Sequence, residues 1–380
     1  FMPAYLTGMG VADTDRLSFV GLFSALIFVV GMPLVPLWGV WADKYSRKAV
    51  IARSAVVEAV VFAAVALSRE PWQLAASLLL IGRQLGNTGV MLAGIRDVTP
   101  RARLGTAIAL FGASGPVGFA IGPALGGLFV DGLGWSLSAM FAVSSALSVA
   151  TALLVWFGTR EIRPEIVPQG SVLQLAFGAV RGVLADAAVR RIFAIFGVSF
   201  LATQMSRPYV PILVERIVGR GEGLASGIFL VAGTAALVGA LVSPLGGAIG
   251  DRIGFRPVLV AALVGGGVAI GLMPFAPTLA VLAVVALVFA AMTAAVSAMI
   301  FGLVATEVPP ERRSTTLNLV YLPLYAAGII GPAAGAIVAT LAGPAGPFVA
   351  GTVVFLVGAV AVASIRTRSE RATAVVPPAT

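Results

Sequence analysis

Long, continuously apolar runs separated by short polar connections make up most of this 380-residue sequence. The runs lack the alternation of apolar and polar residues that is typical of membrane β-strands. A helix needs about 20 apolar residues to cross a hydrocarbon layer. The pattern therefore predicts an all-α membrane protein. We expect eleven full spans, over residues 18–41, 50–68, 73–96, 105–130, 137–158, 188–216, 224–249, 257–275, 278–304, 314–341 and 347–365.

The longest polar connection, residues 159–187, divides these spans into two groups. Its later part, 173–184, is mildly amphipathic, which favours a helix lying on the inner membrane surface. We interpret residues 1–6 as the last turn of an earlier span, so the first bundle is expected to lack most of its first helix. The predicted organisation is an N-terminal bundle over 1–158, a cytoplasmic linker over 159–187, a C-terminal bundle over 188–365 and a disordered cytoplasmic tail over 366–380.

Composition and charge agree with a membrane protein. The chain is 59% hydrophobic and 11% charged, with a net charge of +9. The bases are spread among alternate connections, such as those that hold Lys44, Arg101 and Arg252, instead of forming one patch, which argues against nucleic-acid binding. The positive-inside rule makes these connections cytoplasmic. We therefore expect a multi-pass protein of a bacterial inner (plasma) membrane with a cytoplasmic C-terminus.

The residue types that are missing exclude several kinds of chemistry. The sequence contains no cysteine and no histidine, which removes disulfides, thiolate metal sites and the commonest proton shuttle. It contains no phosphate-binding Walker lysine motif either. We expect no enzymatic activity, no metal and no cofactor.

Three segments recur at nearly the same offset, which indicates a duplicated bundle. Residues 36–50 recur as 244–258, an offset of 208. Residues 97–106 align with 307–316, an offset of 210, and the Gly-Pro pair at 122–123 aligns with 331–332, an offset of 209. Two similar halves around a central site are typical of secondary transporters.

The first repeat resembles the loop signature of the major facilitator superfamily, Gly-x-x-x-Asp-(Arg/Lys)-x-Gly-(Arg/Lys)-(Arg/Lys). The first copy has Ser46 in place of the second glycine, and the second copy has Phe255 in place of the first paired base. The matching residues are Gly39, Asp43, Lys44, Arg47 and Lys48 in the first copy and Gly247, Asp251, Arg252, Gly254 and Arg256 in the second. The resemblance implies two pseudo-symmetric six-helix bundles.

The resemblance also implies a conformational latch at the cytoplasmic side. Gly39 would let a neighbouring helix come close, Asp43 would face the positive end of another helix, and Arg47 would bridge Asp43 to Asp97. Such a latch would favour the outward-open state. The alternative is that the bases only fix topology. The predicted latch set is Gly39, Asp43, Lys44, Arg47, Lys48, Asp97, Asp251, Arg252, Arg256 and Glu307.

The span that begins near residue 105 is similar to the antiporter signature of the same family, Gly-x-x-x-Gly-Pro-x-x-Gly-Gly. Proline removes a backbone donor and bends a helix, and glycines four residues apart open a groove for close packing. The resemblance implies exchange of substrate for protons, whereas the alternative is a kinked packing helix. The matching residues are Gly118, Gly122, Pro123, Gly126 and Gly127.

Two charges deep within predicted spans are candidates for proton coupling. Arg83 resembles the family's membrane arginine, although Asn87 replaces the first glycine of that motif. A charge at this depth is costly and therefore functional by default. Glu58 is the second candidate, with a purely local hydrogen-bonding role as the alternative.

The remaining polar and aromatic residues of the spans are candidates for a substrate cavity. Their scarcity favours a lipophilic substrate, although packing is the alternative for each, and Arg207 is nearly as well placed to reach the outer interface. The set comprises Asn87, Met91, Gln204, Arg207, Tyr209, Asn318, Tyr321 and Tyr325.

The resemblance as a whole favours the drug:proton antiporter branch, with efflux of small lipophilic compounds by alternating access and a proton gradient as the energy source. The partners that it implies are a small-molecule substrate, protons and the lipid bilayer, around a monomer. A metabolite or sugar carrier of the same fold is the first alternative. A membrane receptor or scaffold that transports nothing is the second.

Overall fold

The structure, a computed structural model, describes residues 2–162, 167–221, 223–307, 319 and 321–364. Every regular element among these residues is helical. The elements are α1 Met2–Gly8, α2 Asp13–Lys44, α3 Arg47–Leu67, α4 Pro71–Val98, α5 Arg101–Gly126 continued by the π-helical Gly127–Gly132, α6 Leu137–Gly158, α7 Val172–Ala185, α8 Ala187–Ser206 continued through Arg207–Tyr209 and Val210–Val218, α9 Leu224–Ile253, α10 Phe255–Phe275, α11 Leu279–Glu307, α12 Leu322–Ala342 and α13 Gly346–Ser364.

Ten helices in the described part of the chain are long and apolar enough to cross a membrane, and α7 with α8 brings the number to eleven if that bent pair is one span. The amphipathic α7 turns by 94° into α8, which fits the surface orientation predicted for the linker. The first predicted span, 18–41, is longer in the structure, because α2 begins at Asp13 and ends at Lys44. Polar residues at both ends extend the helix beyond its apolar core.

Side-chain caps begin several of these helices where serine follows a polar connection. The Ser46 hydroxyl accepts a hydrogen bond from the Ala49 amide at 3.0 Å, at the start of α3. Ser136 and Ser171 cap α6 and α7 in the same way. These bonds satisfy amides that have no partner within the helix. The order of caps and apolar runs therefore sets where each span starts.

The two halves meet along two helix pairs, α2 with α12 and α5 with α9. At the first pair, a Cβ added to Gly21 would lie 2.6 Å from the Pro332 carbonyl oxygen. Small residues allow such close backbone approach in membranes. An apolar cluster runs through both halves, with Leu6 and Val20 in the first and Phe348 and Phe355 in the second.

The two copies of the repeated loop lie at the ends of equivalent helices. Asp43 is next to the last residue of α2, and Asp251 is two residues from the end of α9. We call the end of the molecule that holds Lys44, Arg47 and Lys48 the basic end. The opposite end, where α2 begins and α8 ends, is the distal end.

Candidate functional site

At the basic end, Arg47 connects α2 to α4. Its guanidinium Nη2 lies 2.8 Å from Asp43 Oδ1, and Nη1 lies 2.6 Å from Asp97 Oδ2. The Arg47 side chain is only 4% exposed. Asp43 precedes Arg47 by four residues, and Asp97 ends the neighbouring span. The contacts predicted from the sequence are therefore present, and they hold three helix ends of the N-terminal half together.

The two lysines of the motif bind the linker. Lys44 Nζ donates to the Gly170 carbonyl at 2.5 Å, and Lys48 Nζ donates to the Thr159 carbonyl at 2.9 Å. Lys48 also lies over the Trp156 ring, 5.5 Å from its centroid. The motif predicts that these lysines act in the latch. The structure places them as anchors for the chain that joins the two halves.

Glu161 completes this attachment of the linker. Its carboxylate accepts hydrogen bonds from the amides of Arg47 at 2.9 Å and Lys48 at 3.3 Å, and from the Ser46 hydroxyl. An acid at a helix N-terminus is favoured by the free amides and by the helix dipole. The sequence analysis did not predict a role for Glu161. The available signal was an acid in the polar linker together with a helix start at Arg47 whose first turn contains no acid.

The second copy of the motif does not form the same set of ion pairs. Phe255 occupies the position equivalent to Arg47, and it packs so closely that a Cβ added to Gly302 would lie 2.6 Å from its ring. Asp251 and Arg252 are exposed and pair with no described residue. Arg256 instead donates to the carbonyls of Val362, at 3.2 Å, and Ala363, at the end of α13.

The phenyl ring of Phe255 cannot bridge two carboxylates as Arg47 does in the first half. A latch at Asp251, Arg252 and Arg256 therefore stays a prediction. Glu307 ends α11, and its side chain lies outside the described part of the structure.

The glycines of the predicted motifs do not all serve close packing. No atom of the described residues lies within 4 Å of a Cβ added to Gly39, Gly118 or Gly122, so the expected close approach is absent at these three positions in the described part of the chain. Gly127 does pack closely, because its Cβ would lie 3.2 Å from Ser226 Cα on α9. Two further members of the antiporter set lie on α5 just before it, Pro123 within the helix and Gly126 buried.

The closest approach of α2 and α4 is at a glycine pair that the motifs did not indicate. A Cβ on Gly82 would lie 2.7 Å from the Gly31 amide nitrogen and 2.7 Å from the Ile27 carbonyl oxygen. Directly after this contact, α4 tightens into the 3₁₀ turn Gly82–Gln84 and passes through Gly86, whose φ is +92°. Only glycine adopts that conformation without strain.

Arg53 stabilises this break in α4. Its Nη2 donates to the carbonyls of Gln84 and Leu85, each at 3.2 Å, and its guanidinium lies 3.7 Å from the ring centroid of Trp38. The break frees these carbonyls from the helical hydrogen-bond pattern. Arg53 lies on α3, nearly two turns inside the helix and within the predicted span 50–68.

The two residues predicted to couple protons remain apart from other charges. Arg83 has an exposed side chain in the 3₁₀ turn, and Glu58 is partly buried in the middle of α3. Neither forms an ion pair or hydrogen bond with a described residue. The structure therefore does not bring Arg83 and Glu58 together as a pair.

A cavity of about 150 Å³ lies between α2, α4, α7 and the start of α12. Gly39 and Asp43 line it from one half, and Tyr321 and Tyr325 line it from the other. Most of the remaining lining is apolar, including Val35. Asp43 forms no hydrogen bond with the described residues of α12, and the start of the predicted span 314–341 lies outside the described residues, so the expected contact of Asp43 with another helix's N-terminal end stays a prediction.

The other predicted cavity residues have different surroundings. Tyr209 is fully buried, and its hydroxyl donates to the Leu17 carbonyl at 3.1 Å. Gln204 is buried beside Gly331. The Asn87 amide donates to the Ser54 hydroxyl at 2.9 Å, and Met91 is partly buried. The Arg207 guanidinium lies 4.5 Å from the Phe119 ring centroid. Asn318 lies outside the described residues.

A family model for the Major Facilitator Superfamily matches residues 2–243 and 192–380. The chain belongs to the Major Facilitator Superfamily. The two overlapping matches cover both halves, which agrees with the repeats at offsets of 208 to 210. Membership of this transporter family also accounts for the helical architecture.

Curated relatives of this superfamily include two named for drug resistance. The chain is 27% identical over 248 residues to the multidrug resistance protein MdtG of Yersinia enterocolitica, covering 63% of this chain and 58% of the relative. It is 28% identical over 188 residues to a multi-drug resistance efflux pump PmrA homolog of Lactococcus lactis, covering 47% and 46%. The match therefore spans less than two thirds of each relative's length.

Solved structures of the superfamily share the fold. A mutant of the nucleoside transporter NupG aligns with a TM-score of 0.71 at 17% identity, over 95% of this chain and 92% of that chain. A bacterial homolog of the human lysosomal transporter Spinster, crystallised inward-facing and occupied, gives 0.68 at 15% identity, over 92% and 94%. At these identities the likeness concerns the fold alone.

Proposed function

We propose that this protein is a proton-coupled efflux transporter for small lipophilic compounds, working by alternating access. The observation that carries the proposal is the similarity to two bacterial relatives named for multidrug resistance and efflux. The antiporter-like sequence of α5 supports the same direction of transport. Substrate and protons would pass through the space between the two halves.

The cavity between the halves supports a lipophilic substrate. Its walls are mostly apolar, with the hydroxyls of Tyr321 and Tyr325 and the carboxylate of Asp43 as the main polar groups. Apolar walls with few polar groups suit substrates that are bound by area and shape rather than by many hydrogen bonds. A sugar or other polar metabolite needs more hydrogen-bonding partners than the described lining of this cavity offers.

The arrangement at the basic end supports a cytoplasmic orientation for that end and for the C-terminus. Arg47, Lys44 and Lys48 lie together there, as the positive-inside rule expects. We place the protein in a bacterial inner membrane with the cavity on the cytoplasmic side. In that orientation Asp43, Arg47 and Asp97 act as a latch that biases the exchange between inward and outward states.

The proposal assigns proton coupling to Glu58 and Arg83. Both are charged residues within spans, and neither has a described partner that neutralises it. Ionisable residues in such positions mark proton or substrate pathways in membrane proteins. A proton taken up by Glu58 would neutralise a negative charge within the span, so proton uptake there would not require a histidine.

The test is flux in proteoliposomes that contain the full-length protein, with and without an imposed pH gradient. The substrate panel contains lipophilic cations, neutral drugs and a sugar. We expect drug movement that depends on the gradient and that Arg83→Ala abolishes, while Arg252→Ala leaves it unchanged as a matched control. Flux that is equal with and without the gradient would contradict proton coupling, and movement of the sugar alone would favour a metabolite carrier.

A further inference from the structure

A buried ion pair joins the two halves at the distal end. Arg16 lies in the first turn of α2, and Glu215 lies in the last turn of α8. Arg16 Nη1 donates to both carboxylate oxygens of Glu215, at 2.9 and 3.0 Å. Each side chain is only 8% exposed. The pair connects residues 199 positions apart in the chain.

Two further charges extend this pair toward the surface. Arg220 Nε donates to Glu215 Oε1 at 2.7 Å, and Arg220 Nη2 donates to Asp13 Oδ1 at 2.6 Å. Hydrogen bonds to Glu215 and then to Asp13 raise the pKa of Arg220 above its usual value. We refer to Asp13, Arg16, Glu215 and Arg220 as the distal ion cluster.

The distal ion cluster has neighbours that also join the halves. The hydroxyl of Tyr209 on α8 donates to the Leu17 carbonyl on α2. The amide and hydroxyl of Ser226 on α9 both donate to Asp131 Oδ2 at the end of α5, each at 2.8 Å. The distal end is thus closed by polar contacts from α2 to α8 and from α5 to α9, and both sets join the two halves. The ion pairs of Arg47 at the basic end, by contrast, lie within the N-terminal half.

We propose that the distal ion cluster is the gate that holds the distal side shut while the cavity at the basic end accepts substrate. The inference rests on the proposed alternating-access function, but not on the identity of the substrate or on proton coupling. For substrate to leave at the distal side, α2 and α8 must separate there, which breaks the pair between Arg16 and Glu215 and leaves the bonds between Glu215 and Arg220 intact.

The energetics of buried ion pairs make this gate reversible. When the distal side opens, water enters and hydrates Arg16 and Glu215, so the loss of their mutual attraction is largely offset. When Glu215 is neutralised in the closed state, the buried Arg16 keeps only the exposed Asp13 as an opposite charge, with Asp13 Oδ1 3.5 Å from Arg16 Nη2, and this loss of a buried partner is unfavourable. Neutralising Glu215 should therefore shift the population toward the state with an open distal side.

The experiment measures closure of the distal side directly, without any substrate. The sequence has no cysteine, so Asp131→Cys combined with Ser226→Cys gives a reporter pair with no background thiols. In proteoliposomes of the full-length protein, a short bifunctional thiol reagent should crosslink this pair efficiently. Adding Glu215→Gln should lower the crosslinked fraction several-fold, whereas Arg16→Lys, which keeps the charge, should lower it less.

Two exposed neighbours serve as matched controls. Asp15→Asn and Arg216→Gln each remove one charge beside the cluster, and neither residue pairs with a described group. Both should crosslink like the reporter alone. Equal crosslinking in Glu215→Gln and the reporter would overturn the gate, as would an equal loss in the controls.

If Glu215→Gln fails to fold, Asp13→Asn at the exposed edge should give a smaller loss of crosslinking, and no loss there would also overturn the gate.

The crosslinking result separates this inference from the transport proposal. A several-fold loss with Glu215→Gln supports the gate even if no drug in the panel is transported. Conversely, gradient-driven drug flux together with unchanged crosslinking would retain the transport proposal and remove the gate.

Discussion

Arg47 lies 2.6 Å from Asp97, and the residue that occupies the position of Arg47 in the second half is Phe255. The duplicated motif therefore forms an acid–base–acid bridge in one half and an apolar contact in the other. Two copies of one sequence pattern have taken different structural roles. The proposed latch at the basic end is accordingly formed by the copy of the motif in the N-terminal half, and the predictions for the two copies differ.

Neutralising Asp97 should slow transport more than it destabilises the protein. Asp97→Asn removes one of the two carboxylates that hold Arg47. We expect this to shift the free-energy difference between the inward and outward states by about 1–2 kcal/mol, which corresponds to roughly a tenfold lower initial rate. Initial flux in proteoliposomes and thermal melting in detergent measure the two effects. The matched control is Asp251→Asn, which should leave the rate unchanged because Asp251 pairs with no described residue. Equal effects in both variants would contradict a latch formed by the copy in the N-terminal half.

Removing the guanidinium of Arg53 should destabilise the fold. Arg53→Gln takes the donor away from the carbonyls of Gln84 and Leu85, and leaving buried acceptors without partners costs about 1–3 kcal/mol. We expect a lower melting temperature in detergent. Arg69→Gln, a change of the same kind at an exposed site, should have no such effect. An unchanged melting temperature in Arg53→Gln would show that the break in α4 does not depend on this contact.

Alanine substitutions should separate glycines that pack closely from those that do not. In Gly82→Ala the new methyl group would meet Gly31 and Ile27 at 2.7 Å, and such overpacking typically costs about 1–3 kcal/mol. Gly118→Ala meets nothing within 4 Å and should be neutral or stabilising by about 0.5–1 kcal/mol, since alanine favours helix. Folded yield and melting temperature measure both. A larger loss at Gly118 than at Gly82 would contradict the packing of α2 against α4.

Glu58→Gln should uncouple transport from the proton gradient. The amide keeps the size and polarity of the side chain but cannot exchange a proton, so substrate should equilibrate across the membrane without being concentrated. Counterflow of labelled substrate, which needs no gradient, should persist. Asp15→Asn provides the comparison at an exposed position. Gradient-driven accumulation at the normal rate in Glu58→Gln would remove this residue from the coupling mechanism.

Much of the fold follows from the sequence. The apolar runs predicted eleven spans, and the repeats at offsets of 208 to 210 predicted two related halves, in agreement with membership of the Major Facilitator Superfamily. The bridge from Arg47 to Asp43 and Asp97 was also predictable. Asp43 and Arg47 are four residues apart, and Asp97 ends a span on the same side of the membrane.

The contacts between distant helices were not predictable in the same way. In the sequence, Arg16 and Glu215 are each an ordinary charge at a span end. Nothing in the sequence distinguishes Gly31 and Gly82 from the other glycines, of which the chain has 45 in all. In a water-soluble helix the apolar stripe shows which face is buried. In lipid the outward face is as apolar as the packed face, so the sequence carries little information about which face meets a neighbour.

The sequence by itself thus determined the order of the apolar spans, because this depends on local hydropathy. Only the tertiary structure decided that Arg16 reaches Glu215, that Phe255 packs against Gly302 and that Gly82 packs closely against Gly31. Those outcomes depend on the rotation of each helix about its own axis and on its depth in the bundle. Both are fixed by packing between helices, since the lipid solvates every apolar face equally.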